Sequence, residues 1–132
     1  TIKENLIYPF RLQDKTPPTD DEMKDLLERV QLNFPLDQRV DNLSGGERQR
    51  IGLVRLILSE SQVFLLDEPT SALDDVNGEL ILNLITEEAR NNNRSVIMIT
   101  HSQDTAFRYG DEVIRMKEGH IIDKEVGNGP TL

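Results

Sequence analysis

The polar and apolar positions along the 132-residue chain change period several times. Near the start, Ile2, Leu6 and Ile7 fall on one side of a helix, and Tyr8-Pro9 reads as its close. Pro17-Pro18 marks a loop. Thr19 and Glu22 form a capping-box pattern ahead of Met23, Leu26, Leu27 and Val30 at helical spacing. Ser44 and Glu47 repeat that pattern ahead of Ile51, Val54 and Leu58. The period then shifts. Residues 63–67 (VFLLD) are a short, nearly unbroken apolar run, which predicts a strand buried on both faces. Val76, Leu80 and Leu84, with Ile81 and Ile85 beside them, return to helical spacing until Asn91-Asn92-Asn93. Residues 95–100 (SVIMIT) predict a second buried strand, followed by a short helix around Ala106. Residues 112–116 and 120–123 read as a hairpin turning across Lys117-Glu118-Gly119, and the tail from Gly127 is expected to be loose. Helices alternating with apolar strands define an α/β class with a parallel sheet.

Composition changes this picture little. Hydrophobic residues at 36% and charged residues at 30% describe an ordinary globular chain, long enough to bury roughly two-thirds of its unfolded surface. The formal charge of -9 argues against nucleic acid as the main partner, since phosphate neutralisation needs clustered Lys and Arg. With no cysteine there are no disulfides, thiolate metal sites or cysteine nucleophiles. No signal peptide is legible, and no apolar run approaches the ~20 residues of a membrane span, so a membrane role would come through a separate protein or a missing segment. A cytoplasmic setting is expected.

Three stretches carry chemistry. In Leu43-Ser44-Gly45-Gly46-Glu47, Ser44 can cap a helix with its hydroxyl near solvent, and the two glycines let a ligand approach their backbone N–H groups. The plainer reading is a capped helix and nothing more. Asp67-Glu68 stands at the carboxyl end of a strand, where open α/β sheets place their ligands. Asp67 suits a hydrated magnesium ion and Glu68 a water to be deprotonated; a helix cap with a solvated neighbour is the alternative. His101 ends the second strand in the same way, and there it is either a donor to a phosphoryl oxygen or incidental. Arg48 and Arg50 read as phosphate contacts or as solvated ion-pair partners, and His120 as a hairpin residue only.

Taken together, residues 43–50 (LSGGERQR), 63–74 (VFLLDEPTSALD) and Thr100-His101-Ser102 resemble the signature motif, the Walker B segment with D-loop, and the switch region of the ATP-binding-cassette (ABC) ATPases, in that family's order and spacing. The first residues (TIKENL) resemble the stretch after the family's Q-loop. The resemblance implies a partial P-loop NTPase fold: residues 1–43 a remnant of the helical subdomain, residues 44–132 the C-terminal part of the core. It implies ATP and Mg2+ as cofactors, with Asp67 acting on magnesium through water, Glu68 polarising the attacking water and His101 contacting the γ-phosphate. Ser44, Gly45 and Gly46 would bind the γ-phosphate of ATP held by a second protomer in a head-to-tail homodimer, and Asp74 would couple the two sites. The implied partner is a transmembrane permease subunit, with this chain peripheral on the inner face of the membrane. A soluble ABC ATPase of ribosome or DNA, or an inactive fragment, is the alternative.

The sequence departs from the family at one place. None of the eight glycines is followed by Lys, so no G-x-x-x-x-G-K-[ST] loop is present, and the expectation is the C-terminal part of a longer protein. A helix N-terminus offers an anion about 0.3–1 kcal/mol, and up to ~2 in a favourable site, against about 4.1 kcal/mol for even a millimolar Kd. The signature helix alone falls short, and this chain by itself is expected to be inactive. The compact segment before Leu43 leaves no room for the coiled coil of chromosome-maintenance relatives. Gly52-Leu53-Val54-Arg55-Leu56 and Asn5-Leu6-Ile7-Tyr8-Pro9-Phe10 resemble the ATPases of bacterial iron or metal exporters.

Overall fold

A computed structural model describes residues 1–129. Its elements in chain order are α1 (Ile2–Leu12), α2 (Asp20–Arg29), a 3-10 turn (Val40–Asn42), α3 (Gly45–Leu58), β1 (Val63–Asp67), α4 (Asp75–Asn91), β2 (Ser95–Ile99), α5 (Gln103–Tyr109), β3 (Glu112–Lys117) and β4 (His120–Val126). The start of each long helix is fixed by a side chain that satisfies an otherwise unpaired amide. Thr1, Thr19 and Ser44 each accept from the backbone three residues on, while Glu4, Glu22 and Glu47 reach back to complete the box. Asp74 caps α4 alone, accepting from the Asn77 amide.

β1 and β2 pair in parallel with Val63 opposite Ser95 and Asp67 opposite Ile99, and α4 makes the crossover that a parallel pair requires. β3 and β4 form a separate antiparallel hairpin. Its turn needs positive φ at both central residues, supplied by Glu118 (φ 49) and Gly119 (φ 80). One hydrophobic core joins α1, α2, α3 and α4 to the inner face of β1, centred on Ile2, Leu6, Met23, Leu27, Val54, Phe64 and Ile81. Arg94 closes one side of it, its guanidinium 5.3 Å from the Phe64 ring and donating to Ile57 O at 3.1 Å.

Five expectations need correction. α1 does not stop at Pro9 but runs on to Leu12. A proline inside a helix costs about 3 kcal/mol, and here the extra turn carries Phe10 into the buried set. β1 is buried on one face only: Phe64 and Leu66 point into the core, whereas Leu65 is 71% exposed. β2 is exposed along nearly all its length, with only Met98 packed against the core. The helices cover a single face of this strand pair, so an apolar run does not become a strand buried on both sides. Val76 is likewise exposed, one turn ahead of the face of α4 that packs. The expected loose tail begins with three tied residues: Gly127 and Asn128 donate to Asp111 O and Phe107 O at 3.0 and 2.6 Å, and Gly129 donates to Gly110 O. The remainder of that tail, 130–132, lies outside the described residues.

Candidate functional site

The parallel register sets the ends of β1 and β2 side by side, which places Asp67-Glu68 next to Thr100-His101. Glu68 departs from the strand with φ 47, a left-handed backbone that a residue with a Cβ adopts at a cost of roughly 1–2 kcal/mol. The surrounding bonds hold it there. Its N–H donates to Ile99 O at 3.0 Å, and its carbonyl accepts from Ser71 N at 3.1 Å and from Gln49 Nε2 at 3.2 Å. The turn aims the carboxylate at His101, whose Nε2 stands 3.2 Å from Glu68 Oε1. Glu68 Oε1 is buried and without a hydrogen bond. Glu68 is thus sheltered at 31% exposure, while His101 is 96% exposed. Asp67 is exposed at the strand end.

The signature segment lies beside this pair rather than in it. Among the described residues no hydrogen bond links Ser44 or Gly45 to Asp67, Glu68 or His101. The two glycines have different surroundings, which the sequence did not reveal. A Cβ at Gly45 would meet nothing within 4 Å. At Gly46 it would stand 2.9 Å from Ala72 O and 3.1 Å from Leu73 Cδ2, so Gly46 is where α3 packs on the D-loop. The Ser44 backbone amide, donating to the Glu47 carboxylate, holds that group below the usual carboxylate range.

Asp74 accepts from Asn77 N at 2.9 Å and Asn77 Nδ2 at 2.7 Å, and these bonds lower its pKa. Arg50, read from sequence as a phosphate contact or a solvated ion pair, does neither. Its Nη1 donates to Val30 O and to Asn77 Oδ1, both at 3.1 Å, and its Nε is buried without a partner. Two members of this constellation carried no prior assignment, Gln49 and Asn77. Gln49 bonds residues 19 and 23 positions away and Asn77 accepts from Arg50 27 positions away, contacts that no short motif encodes.

The donor set suits a hard, hydrated cation better than a caged one. Among the described residues no three ligating side chains gather, which fits magnesium held by one carboxylate, water and phosphate oxygens.

The site is thus a strand-end acid and histidine beside a capped, glycine-rich helix on an α/β frame. The ABC transporter family matches residues 1–71, more than half of the chain, and the chain belongs to that family. The phosphonates import ATP-binding protein PhnC 1 of Ruegeria sp. (strain TM1040) is 40% identical over 107 residues, covering 80% of this chain and 42% of that protein. The lipoprotein-releasing system ATP-binding protein LolD of Shewanella denitrificans is 38% identical over 123 residues, covering 92% and 52%. The chain therefore spans about half, or less, of the length of such relatives. The dimeric cassette MJ0796 in a post-hydrolysis state with ADP and Pi superposes with a TM-score of 0.83 at 26% identity, over 96% of this chain and 56% of that one.

Proposed function

We propose that this chain is the C-terminal part of the ATP-hydrolysing subunit of a membrane transporter. The observation that carries the reading is the Glu68–His101 pair, an acid sheltered in a left-handed turn beside an exposed imidazole at adjoining strand ends. Glu68 is placed to orient a water and take its proton, and His101 to contact a phosphoryl oxygen from the opposite side. Asp67 would hold magnesium, which supplies neutralisation of the phosphate charge when bound. Ser44 and Gly45, exposed at the open end of α3, are free to receive the phosphate of a nucleotide held by a second protomer; the dimeric solved relative supports that arrangement. Asp74, capping α4 from the D-loop, would lie between the two sites.

Residues 1–43 act as part of a helical subdomain and residues 44–132 as part of the catalytic core. The relatives named for phosphonate import and lipoprotein release support a permease partner and a peripheral position on the inner face of the membrane. No helix among the described residues is long and apolar enough to cross a membrane. The metal-export subtype rests on two stretches that touch each other, Arg55 Nη1 donating to Asn5 Oδ1 at 3.4 Å.

The test is Glu68→Gln in the polypeptide that carries both this chain and a phosphate-binding loop. ATP hydrolysis should fall by about 10²–10⁴ while ATP binding persists and the ATP-bound dimer accumulates. Parental turnover would leave Glu68 a bystander.

A further inference from the structure

We propose that Gln49 is a positioning residue for Glu68, an inference that rests on reading Glu68 as the general base. Gln49 sits on the second turn of α3 and its side-chain amide turns toward the loop after β1. Nε2 donates to Glu68 O at 3.2 Å and Oε1 accepts from Ala72 N at 3.3 Å. A single carboxamide therefore spans the loop from its first residue to its fifth, with donor and acceptor each matched to a backbone group. Glu68 is the residue in that loop with a left-handed backbone, φ 47. Its N–H is anchored to Ile99 O on β2 and its carbonyl to Ser71 N and Gln49 Nε2. Remove the Gln49 bond and that carbonyl keeps one partner, inside the loop itself. The peptide after Glu68 is then freer to turn, and the carboxylate turns with it.

The next residue extends the grip. Arg50 holds Asn77, and Asn77 holds both oxygens of Asp74. Gly46 brings α3 to the contact distance that these side chains require, against Ala72 and Leu73. Consecutive side chains of α3 thus reach both acidic ends of the segment between β1 and α4. A displacement of the signature helix is transmitted to the base, not only to the nucleotide across the dimer.

The experiment uses the full polypeptide with its phosphate-binding loop and compares Gln49→Leu, Gln49→Glu, Glu68→Gln and the double variant Gln49→Leu/Glu68→Gln. Gln49→Leu should lower kcat for Mg-ATP by on the order of 10–100-fold, the scale of a small misplacement of a catalytic group, with KM within about threefold and the thermal midpoint nearly unmoved. Gln49→Glu keeps the acceptor for Ala72 N but loses the donor to Glu68 O, so it should fall with Gln49→Leu. In the Glu68→Gln background, adding Gln49→Leu should change single-turnover hydrolysis by less than about twofold, because both substitutions remove the same function. A parental kcat in Gln49→Leu, full activity in Gln49→Glu, or additive losses in the double variant would each overturn the inference while leaving the base assignment standing. Parental turnover in Glu68→Gln alone would remove the base, and this inference with it.

Discussion

The two strand pairs of this molecule, one parallel and one antiparallel, are buried quite differently. β1 pairs with β2 over five residues, and its inner face, Phe64 and Leu66, is sealed by four helices. β3 pairs with β4 over six, yet Ile114, Met116, Ile121, Ile122 and Val126 all stand exposed. The hairpin is held by its backbone ladder, a bulge at Arg115-Met116 and two cross-strand ion pairs, Arg115–Glu125 at 2.9 Å and Lys124–Glu112 at 2.8 Å. Exposed pairs of that kind contribute about 0–1 kcal/mol, and a lone hairpin is marginal in water. Pairing and burial are separate achievements. The free edges of β2 and β3 are apolar templates for a further strand, and a chain spanning about half of its relatives has reason to carry them.

The largest expected effect breaks that comparison if it fails. Phe64→Ala should destabilise the protein by about 3–5 kcal/mol, because the ring is wholly buried in the core and bears the Arg94 cation. Ile97→Ala, on a side chain 61% exposed, should stay within about 0.5 kcal/mol. Chemical denaturation followed by helical circular dichroism measures both. A cost above about 2 kcal/mol at Ile97 would mean that the outer face of β2 is covered in solution.

A smaller effect separates the two glycines of the signature. Gly46→Ala should cost about 1–3 kcal/mol, because its methyl would press on the Ala72 carbonyl, a backbone group with little room to yield. Gly45→Ala opens onto free space and should be neutral or slightly stabilising through helix propensity. Equal midpoints for the two variants would show that α3 does not rest on the D-loop at Gly46.

These contrasts mark what the sequence could disclose. Helix starts were legible because a capping box is a local device, read from residues three apart. The hairpin was legible for the same reason, through a turn that needs positive φ. Element order, and with it the α/β class, followed from periodicity. The burial of β1 and β2 did not, since VFLLD and SVIMIT record apolar character but not which layers are present to cover it. At the site, the meeting of Glu68 with His101 follows from parallel pairing of strands that each end in a polar residue. The Gln49 bridge and the Arg50–Asn77 bond are tertiary facts: each joins residues whose spacing corresponds to no helical or strand period.

The smallest expected effect sharpens the comparison from the helical side. α2 and α3 begin with carboxylates, Glu22 and Glu47, that accept from the backbone amides of Thr19 and Ser44. Those bonds, with a second one from each capping hydroxyl, hold both carboxyl groups below the ordinary value of 4.5. A folded-state pKa that is depressed contributes stability above the unfolded value and loses it as the pH falls through the folded one. The contribution is therefore full only well above pH 4.5 and disappears progressively as the pH falls below it. Glutamine at residue 22 can still reach the Thr19 amide but carries no charge, so Glu22→Gln should lower the thermal midpoint slightly at pH 6 and not at all at the lowest pH. Two melting curves measured from pH 6 down to about 2.5 should converge, with the parent falling more steeply. Added salt should narrow the gap at pH 6, because both groups are exposed and screened. The hairpin has no helix start to lose and supplies the internal control: its amide signals should show the same pH response in parent and variant. Parallel curves that never approach one another would mean that the charge of Glu22 takes no part in starting α2.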